Sequence, residues 1–535
     1  TRFELQGSTL YVANSGRPLD ASDVHSLCIQ GLSSKSDEEA SIGRKGRGFT
    51  SVLELTDRPA VYSHDYRFQF NGEKAREALL SNTPIANELS AADVPTLRLP
   101  FEPETIPKHV TRLLREETPY TTVFAFALFD DIQDTIESRL RGIDSQTLVF
   151  LQNLNRLEIS IDGAERIWTI DRPEPSTLAD IPGQQITLEQ YESATVTEPV
   201  QQSDYVQFHR DEIPVDQREG LPNGDWDEVT TTQVSIAFGL ETTSNSVRLR
   251  PVRESPSIHV FLPTTQSSPG GFLINGAFKP ESSRKRIPIA DEDNGYNALL
   301  FDNVADLLAT TVIEFASQTD TTVSDFLSCL RLDGDRLTAD CEHYCAAAIR
   351  EAIATVPFVP RVDTPDMFEH GGTRVSISQL QVPDPDQIPI SLATKLTTAN
   401  GPKPLPSFIS SDLAYLPATS ILTEQIAQAL LSLGAPALNP IAIPSVLADA
   451  DSKRTTVRPF SDVSTRAGVD PVVEILLDLY DALSADTRDE FVEQVTVHDL
   501  FPVRVTSTGE IERDEVGDAA LLLPPEDTEP DVAFH

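Results

Sequence analysis

Apolar and polar positions alternate from the first residues. The pattern predicts short strands over 3–5 and 10–13, joined at Gly7-Ser8, and a hairpin of strands over 61–63 and 66–70. Between them, Val24, Leu27 and Cys28 share one face of a short helix that Ser22 or Asp23 can cap. Residues 49–55 are apolar at 49, 52, 53 and 55 and read as a helix entered from a glycine-rich segment. Residues 73–98 read as a connector, and 107–116 as a helix with Pro107 in its first turn. The strongest strand pattern is 121–129, Thr-Thr-Val-Phe-Ala-Phe-Ala-Leu-Phe. Helical segments over 131–141 and 145–154 follow, closing an expected first domain, 1–155.

A two-residue period returns at 157–161 and 167–170, around Asp162-Gly163, and opens a second domain, 156–358. Further strands are expected over 234–238, 247–249, 258–262 and 272–277, and helices over 296–315, 324–330 and 340–355. Residues 171–232 are acidic, rich in Pro, Gln and Thr, and poor in long apolar runs, so a loop-rich insertion is expected there. From 359 to 535 a proline-rich stretch, short helices over 423–433 and 471–483, and strand-like pieces form a mixed, largely helical region with no assigned role. The fold class is α+β.

The charge changes this picture. Acidic residues outnumber basic ones 83 to 42 over 535 residues, for a net charge of −41, and the acids are dispersed along the chain. Only 9 of the 42 cations are lysines. Dispersed carboxylates repel one another in dilute salt and are screened in concentrated salt, so halophilic adaptation is the first reading. The same field opposes general binding to nucleic acid or an anionic membrane. Four cysteines make no disulfide framework, and a reducing cytoplasm is expected. No apolar run reaches the roughly 18 residues of a membrane span. The first residue is Thr1, and a strand begins at once, which suggests a segment of a longer protein.

Two constellations carry chemistry. Asn14-Ser15-Gly16 ends a strand in an Asn-x-Gly turn, an ordinary turn when it stands alone. Gly43-x-x-Gly46-x-Gly48, interleaved with Arg44, Lys45 and Arg47, precedes an apolar helical pattern. Amides freed by such glycines, with a helix N-terminus behind them, can cradle phosphate oxygens. The spacing matches neither the P-loop nor the dinucleotide-binding fingerprint; a flexible basic loop is the plain alternative.

Together with Gly31-Leu32-Ser33-Ser34-Lys35, Asp57-Arg58-Pro59-Ala60-Val61-Tyr62-Ser63, Thr121-Thr122-Val123-Phe124-Ala125-Phe126 and Leu148–Leu154, these motifs resemble, in order, the sacsin-type branch of the ATPase superfamily of gyrase B, the large heat-shock chaperone, MutL and histidine kinases. Phe272-Leu273-Ile274-Asn275-Gly276 and Ser283-Arg284-Lys285-Arg286-Ile287, followed by Asn297, resemble the next domain of sacsin-like and NO VEIN-like proteins. The resemblance covers about 1–310. It implies an N-terminal Bergerat-type α/β sandwich, ATP with Mg²⁺, and lid closure coupled to conformational change in a chaperone-like or defence-associated machine with a client or partner subunit. It assigns Asn14 and Gly16 to the adenine, and Lys35, Gly43, Lys45, Gly46 and Gly48 to the lid and phosphates. Thr121 and Thr122 would complete the base-side network. Arg284 and Lys285 would sense the terminal phosphate; the alternative is a loop pairing with Asp291, Glu292 and Asp293.

The superfamily's usual Asp is Asn14 here, which can still accept a hydrogen bond but without charge. The Glu-x-x-x-Asn helix that supplies a general base and holds Mg²⁺ belongs just upstream of residue 3, so the sandwich is expected without its first helix and hydrolysis belongs to the intact parent. A non-hydrolysing interaction scaffold is the alternative. Cys329, Cys341, His343 and Cys345 could bind zinc, but helical spacing turns His343 away from Cys341 and Cys345 and favours buried thiols. Residues after 286 hold only Lys395, Lys403 and Lys453, none in a restriction-nuclease pattern, and no Ser-His-Asp set has local support. The charge reading has a direct test: the melting temperature should rise between about 0.1 M and about 2 M KCl, and a flat or falling trend would contradict it.

Overall fold

The structure is a computed structural model that describes residues 1–28, 49–82, 96–115, 119–173, 183–215, 230–242, 246–252, 255–281, 285–289, 295–316, 319–332, 334–361, 374–398, 416–445, 471–497, 501–504 and 511–514. It is α+β: helices pack on a large mixed sheet.

Strands β1 (Arg2–Gln6) and β2 (Thr9–Ser15) form a hairpin turned at Gly7, whose φ of +55° suits glycine. Helix α1 (Ala21–Cys28) follows, and the hairpin of β3 (Ala60–Ser63) and β4 (Tyr66–Phe70) forms as expected. Phe49–Glu54 is a 3₁₀ turn rather than an α-helix. The connector expected at 73–98 contains a helix, α2 (Gly72–Asn82), started by Asn71, whose Oδ1 accepts from the amides of Glu73 and Lys74 at 3.0 and 3.1 Å. Next come β5 (Pro100–Phe101), α3 (Lys108–Leu113) behind Pro107, β6 (Tyr120–Ala127), α4 (Gln133–Arg141) and α5 (Ser145–Leu148). Helix α5 is one turn, capped by Asp144, not the longer helix expected.

Strands β7 (Arg156–Ile161) and β8 (Ala164–Asp171) turn through Asp162 and Gly163, both at positive φ, as a two-residue hairpin requires. Strands β9 (Gln184–Tyr191) and β10 (Gln201–Pro214) then occupy most of the described part of 171–232. The loop-rich insertion expected there is therefore corrected: these strands pair with each other, with β8 and with β11 (Thr231–Thr242) inside the sheet. Their apolar positions, Ile186, Leu188, Tyr205, Val206 and Phe208, are buried, but Gln, Glu and Asp stand between them and dilute the alternation. Strand β12 (Val247–Arg250) branches from β11. Residues 258–262 form no single strand: β13 (Ser257–Val260) reverses at Phe261, φ +64°, into β14 (Leu262–Ser267). Strand β15 (Leu273–Gly276) completes the sheet.

The order across the sheet is β14-β13-β15-β11-β10-β9-β8-β7-β1-β2-β6-β3-β4-β5. It continues across the boundary expected at 155, because β1 pairs antiparallel with β2 and parallel with β7. Helices α6 (Gly295–Ala316), α7 (Asp320–Cys329) and α8 (Asp340–Ala354) cover the β10–β15 part. Phe208, Phe238, Phe272, Phe315 and Phe326 interlock there with centroid separations of 5.0–6.1 Å. The same core takes in residues beyond 359, including Leu392 of α9 (Ile390–Thr398) and Leu430 of α10 (Glu424–Ser432). Helices α11 (Pro471–Ala482) and α12 (Ala485–Thr496) add Leu476, Leu479 and Phe491. A second core gathers Leu5, Leu10, Phe126, Ile136, Leu140, Leu148, Phe150 and Trp168, with α4 and α5 on that face.

His259 on β13 links the two halves. It is fully buried, meets Phe150 edge-on at 5.0 Å, and shares a hydrogen bond with Ser257 Oγ at 3.0 Å. Its Nδ1 has no partner. Burial lowers its pKa from 6.5 to about 3. The unfolded chain therefore binds a proton that the folded chain refuses between those values. Stability from this residue is complete above about pH 6.5 and declines as pH falls toward 3, by up to about 1.4 kcal/mol per unit. Urea titrations at several pH values should show a shallower acid loss for His259→Gln; equal slopes would refute the assignment.

Candidate functional site

The rim of the first half carries a polar row built by strand register. Asn14 on β2 stands opposite Thr122 on β6, and Thr122 stands opposite Ser63 on β3. Two residues inward, the same face shows Val12, Phe124 and Val61; Leu10 and Phe126 lie beyond. An apolar floor thus ends in an amide and two hydroxyls. Phe49 of the 3₁₀ turn lies over it, 5.9 Å from Phe124 and 6.0 Å from Phe70. Leu19 and, from α1, Val24 and Leu27 pack against Val61, Phe68 and Phe70 on this side.

The hydroxyls are connected. Ser63 and Thr122 are both buried, with Oγ and Oγ1 2.7 Å apart, and the Leu19 amide donates to Ser63 Oγ at 2.9 Å. A register shift between Asn14 and Ser15 leaves Thr121 without a partner on β2. The Thr121 hydroxyl donates instead to the Asn14 carbonyl at 3.4 Å. Asn14 Oδ1 accepts from Thr1 Oγ1 at 3.1 Å. Gly16 follows at φ +118°, with open space where a side chain would stand, and the chain turns there toward α1. Helix α1 is started by Asp20 rather than by Ser22 or Asp23: Asp20 Oδ1 accepts from the amides of Ser22 and Asp23 at 2.8 and 3.0 Å. Asp23 Oδ2 returns a bond from the Asp20 amide at 3.0 Å, and Arg17 pairs with both carboxylates. These bonds hold the Asp20 carboxyl below its usual range.

The structure therefore brings Asn14, Gly16, Thr121 and Thr122 together. Ser63 was not foreseen as part of the site; its signal is a small hydroxyl ending the apolar run Ala60-Val61-Tyr62 on a strand. Lys35, Gly43, Lys45, Gly46 and Gly48 lie outside the described residues, as does Arg284. Lys285 is exposed, and its carbonyl accepts from the amide and hydroxyl of Thr265 on β14 at 3.1 and 2.9 Å. In the sheet order, eight strands stand between β14 and β2. The three acids offered as partners for that basic run, Asp291, Glu292 and Asp293, are also outside the described residues.

The opposite face of β1 is ionic. Glu4 is buried and takes bonds from Arg2 Nε at 3.1 Å, from Arg112 Nη2, and from His109 Nδ1 at 3.2 Å. Arg2 also reaches Glu158 on β7 at 2.7 Å and Glu165 on β8 at 3.1 Å. Burial works against the Arg2 charge, but these carboxylates outweigh it and raise its pKa. Burial, reinforced by Glu158, pushes the Tyr120 hydroxyl up to about 12. Cys329, Cys341 and Cys345 are buried among core side chains; burial raises all three thiols, Cys341 to about 12, and His343 points to solvent. Among the described residues no His, Cys, Asp and Glu group is arranged to hold a metal, and no helix is long and apolar enough to cross a membrane.

No protein-family model matches the chain. Over 69 residues, 13% of the chain, it is 33% identical to Protein NO VEIN of Arabidopsis thaliana, and the match covers 2% of that protein's length. At that extent the similarity supports a distant relation.

Proposed function

We propose that the chain binds ATP, with the base end at the Asn14–Thr122–Ser63 row and the triphosphate at the basic glycine segment 43–48. One observation carries this reading. Asn14 and Gly16 of one sequence motif and Thr121 and Thr122 of another meet at one end of β2 and β6, at the edge of an apolar floor that Phe49 covers. Such a site, mostly apolar with a few fixed polar groups at its rim, is the usual form of a small-molecule pocket. In the sequence the segment 43–48 immediately precedes Phe49, which lies over that floor. The match to Protein NO VEIN supports a distant relation to that protein and adds nothing on nucleotide binding.

Mg²⁺, hydrolysis and coupling to a client or partner belong to the proposal only at the level of a larger assembly. No residue of this chain is assigned the general base. No part of this proposal rests on Arg284, which lies outside the described residues, or on Lys285, whose side chain is exposed beside β14.

Calorimetric titration separates the two ends of the site. Lys45→Ala should weaken ATP binding by about 1–3 kcal/mol, the worth of a charged hydrogen bond, and leave adenosine binding unchanged. Asn14→Ala should weaken both ligands. Wild-type ATP affinity in Lys45→Ala would remove the phosphate assignment, and a chain that binds neither ligand would favour a non-nucleotide scaffold.

A further inference from the structure

Two polar groups at the row share a property that bears on which base the site accepts. Asn14 and Thr122 can reverse their hydrogen-bonding roles, whereas Ser63 accepts from the Leu19 amide and has the Thr121 carbonyl, at 3.4 Å, as a second acceptor for its proton. Ser63 and Thr122 are hydroxyls 2.7 Å apart, and either can donate to the other. Asn14 bonds through its amide to a third hydroxyl, that of Thr1, at 3.1 Å. A half-turn of the amide exchanges Oδ1 and Nδ2 with almost no change of shape, and a hydroxyl partner can donate to one or accept from the other. Among the described residues Nδ2 forms no other bond. The nearby carboxylates do not impose a direction. Asp20 is committed to the amides that begin α1, Asp23 to the Asp20 amide, and both to Arg17.

We propose that this site accepts 6-amino and 6-oxo purine nucleotides with little discrimination, and that Asn14 is the residue that sets this tolerance. The inference rests on the nucleotide reading above. Toward a 6-amino group Asn14 presents Oδ1; toward a 6-oxo group it presents Nδ2. A carboxylate at position 14 is an acceptor only. It would favour the amino base and set two acceptors against each other with the oxo base. A site that fixes the direction of a buried hydrogen bond rejects the wrong partner strongly, and one that can reverse it does not.

The test is displacement of a fluorescent ATP analogue by ATP and by inosine triphosphate, which differ at the 6-position and in the proton on N1, without the 2-amino group of guanine. The dissociation constants of the wild-type chain should agree within about threefold. Asn14→Asp should move the ratio about tenfold or more toward ATP, the change expected from one hydrogen bond to a charged acceptor. A wild-type preference for ATP beyond about tenfold, or an unchanged ratio in Asn14→Asp, overturns the proposal while leaving nucleotide binding intact. Failure of the wild-type chain to bind either nucleotide overturns the reading of the site and this inference with it. The wild-type ratio decides alone if Asn14→Asp does not fold.

Discussion

The organisation of the molecule depends on β1 being paired on both sides. Its antiparallel partner β2 ends at the candidate site, and its parallel partner β7 opens the second half of the sheet. The Glu4 carboxylate, almost fully withdrawn from water, is tolerable only because Arg2, Arg112 and His109 surround it. Arg2 then extends the charges across the strand to Glu158 and Glu165. Removing Arg2 would leave Glu4 with Arg112 and His109 and break its link to Glu158 and Glu165. Helix α3, the first hairpin and the β7–β8 hairpin are thus held by one ionic group, while the other face of β1 buries Leu5 in the core beneath α4 and α5.

That arrangement explains how a polar row can sit at the edge of an apolar face. Register is rigid where one side of a sheet is packed: a slip by one residue would drive Asn14, Thr122 and Ser63 to the α3 side and turn Tyr11 and Val123 inward. The row is placed by the burial of Leu10, Val61 and Phe126 rather than by its own bonds, which are few. The bulge after Asn14 then releases the chain into the Gly16 turn and toward α1.

Much of the fold was legible because its signals are local. The alternation of 121–129, the Asp162-Gly163 turn and the long apolar face of α6 each carry a period that survives without knowledge of neighbours. Strands β9 and β10 were obscured because Gln, Glu and Asp stand between their buried apolar positions, in a chain rich in acidic residues. Helix α2 was missed although Asn71 announces it as a cap. The turn at Phe261 has no sequence signal, since a phenylalanine at positive φ is held by tertiary context: its amide donates to Asn275 Oδ1 at 2.9 Å. At the site, Asn14, Gly16, Thr121 and Thr122 were readable from motifs. The role of Ser63 was not, because it arises from cross-strand register with Thr122 and from the Leu19 amide.

The pairing of β1 with β7 also sets an order in time. The Thr1 nitrogen donates to the Arg156 carbonyl across 155 positions, and the Gly7 amide donates to Asp162 Oδ1 across the same span. During synthesis the β1–β2 hairpin is without its β7 partner until residues 156–161 are made, and closing so long a loop is slow. An unpaired edge invites other strands. Arg2 and Glu4, alternating along that edge, give it opposite charges that a foreign apolar strand cannot match. Arg2 and Glu4 thus charge that edge before the other members of the ionic joint are made.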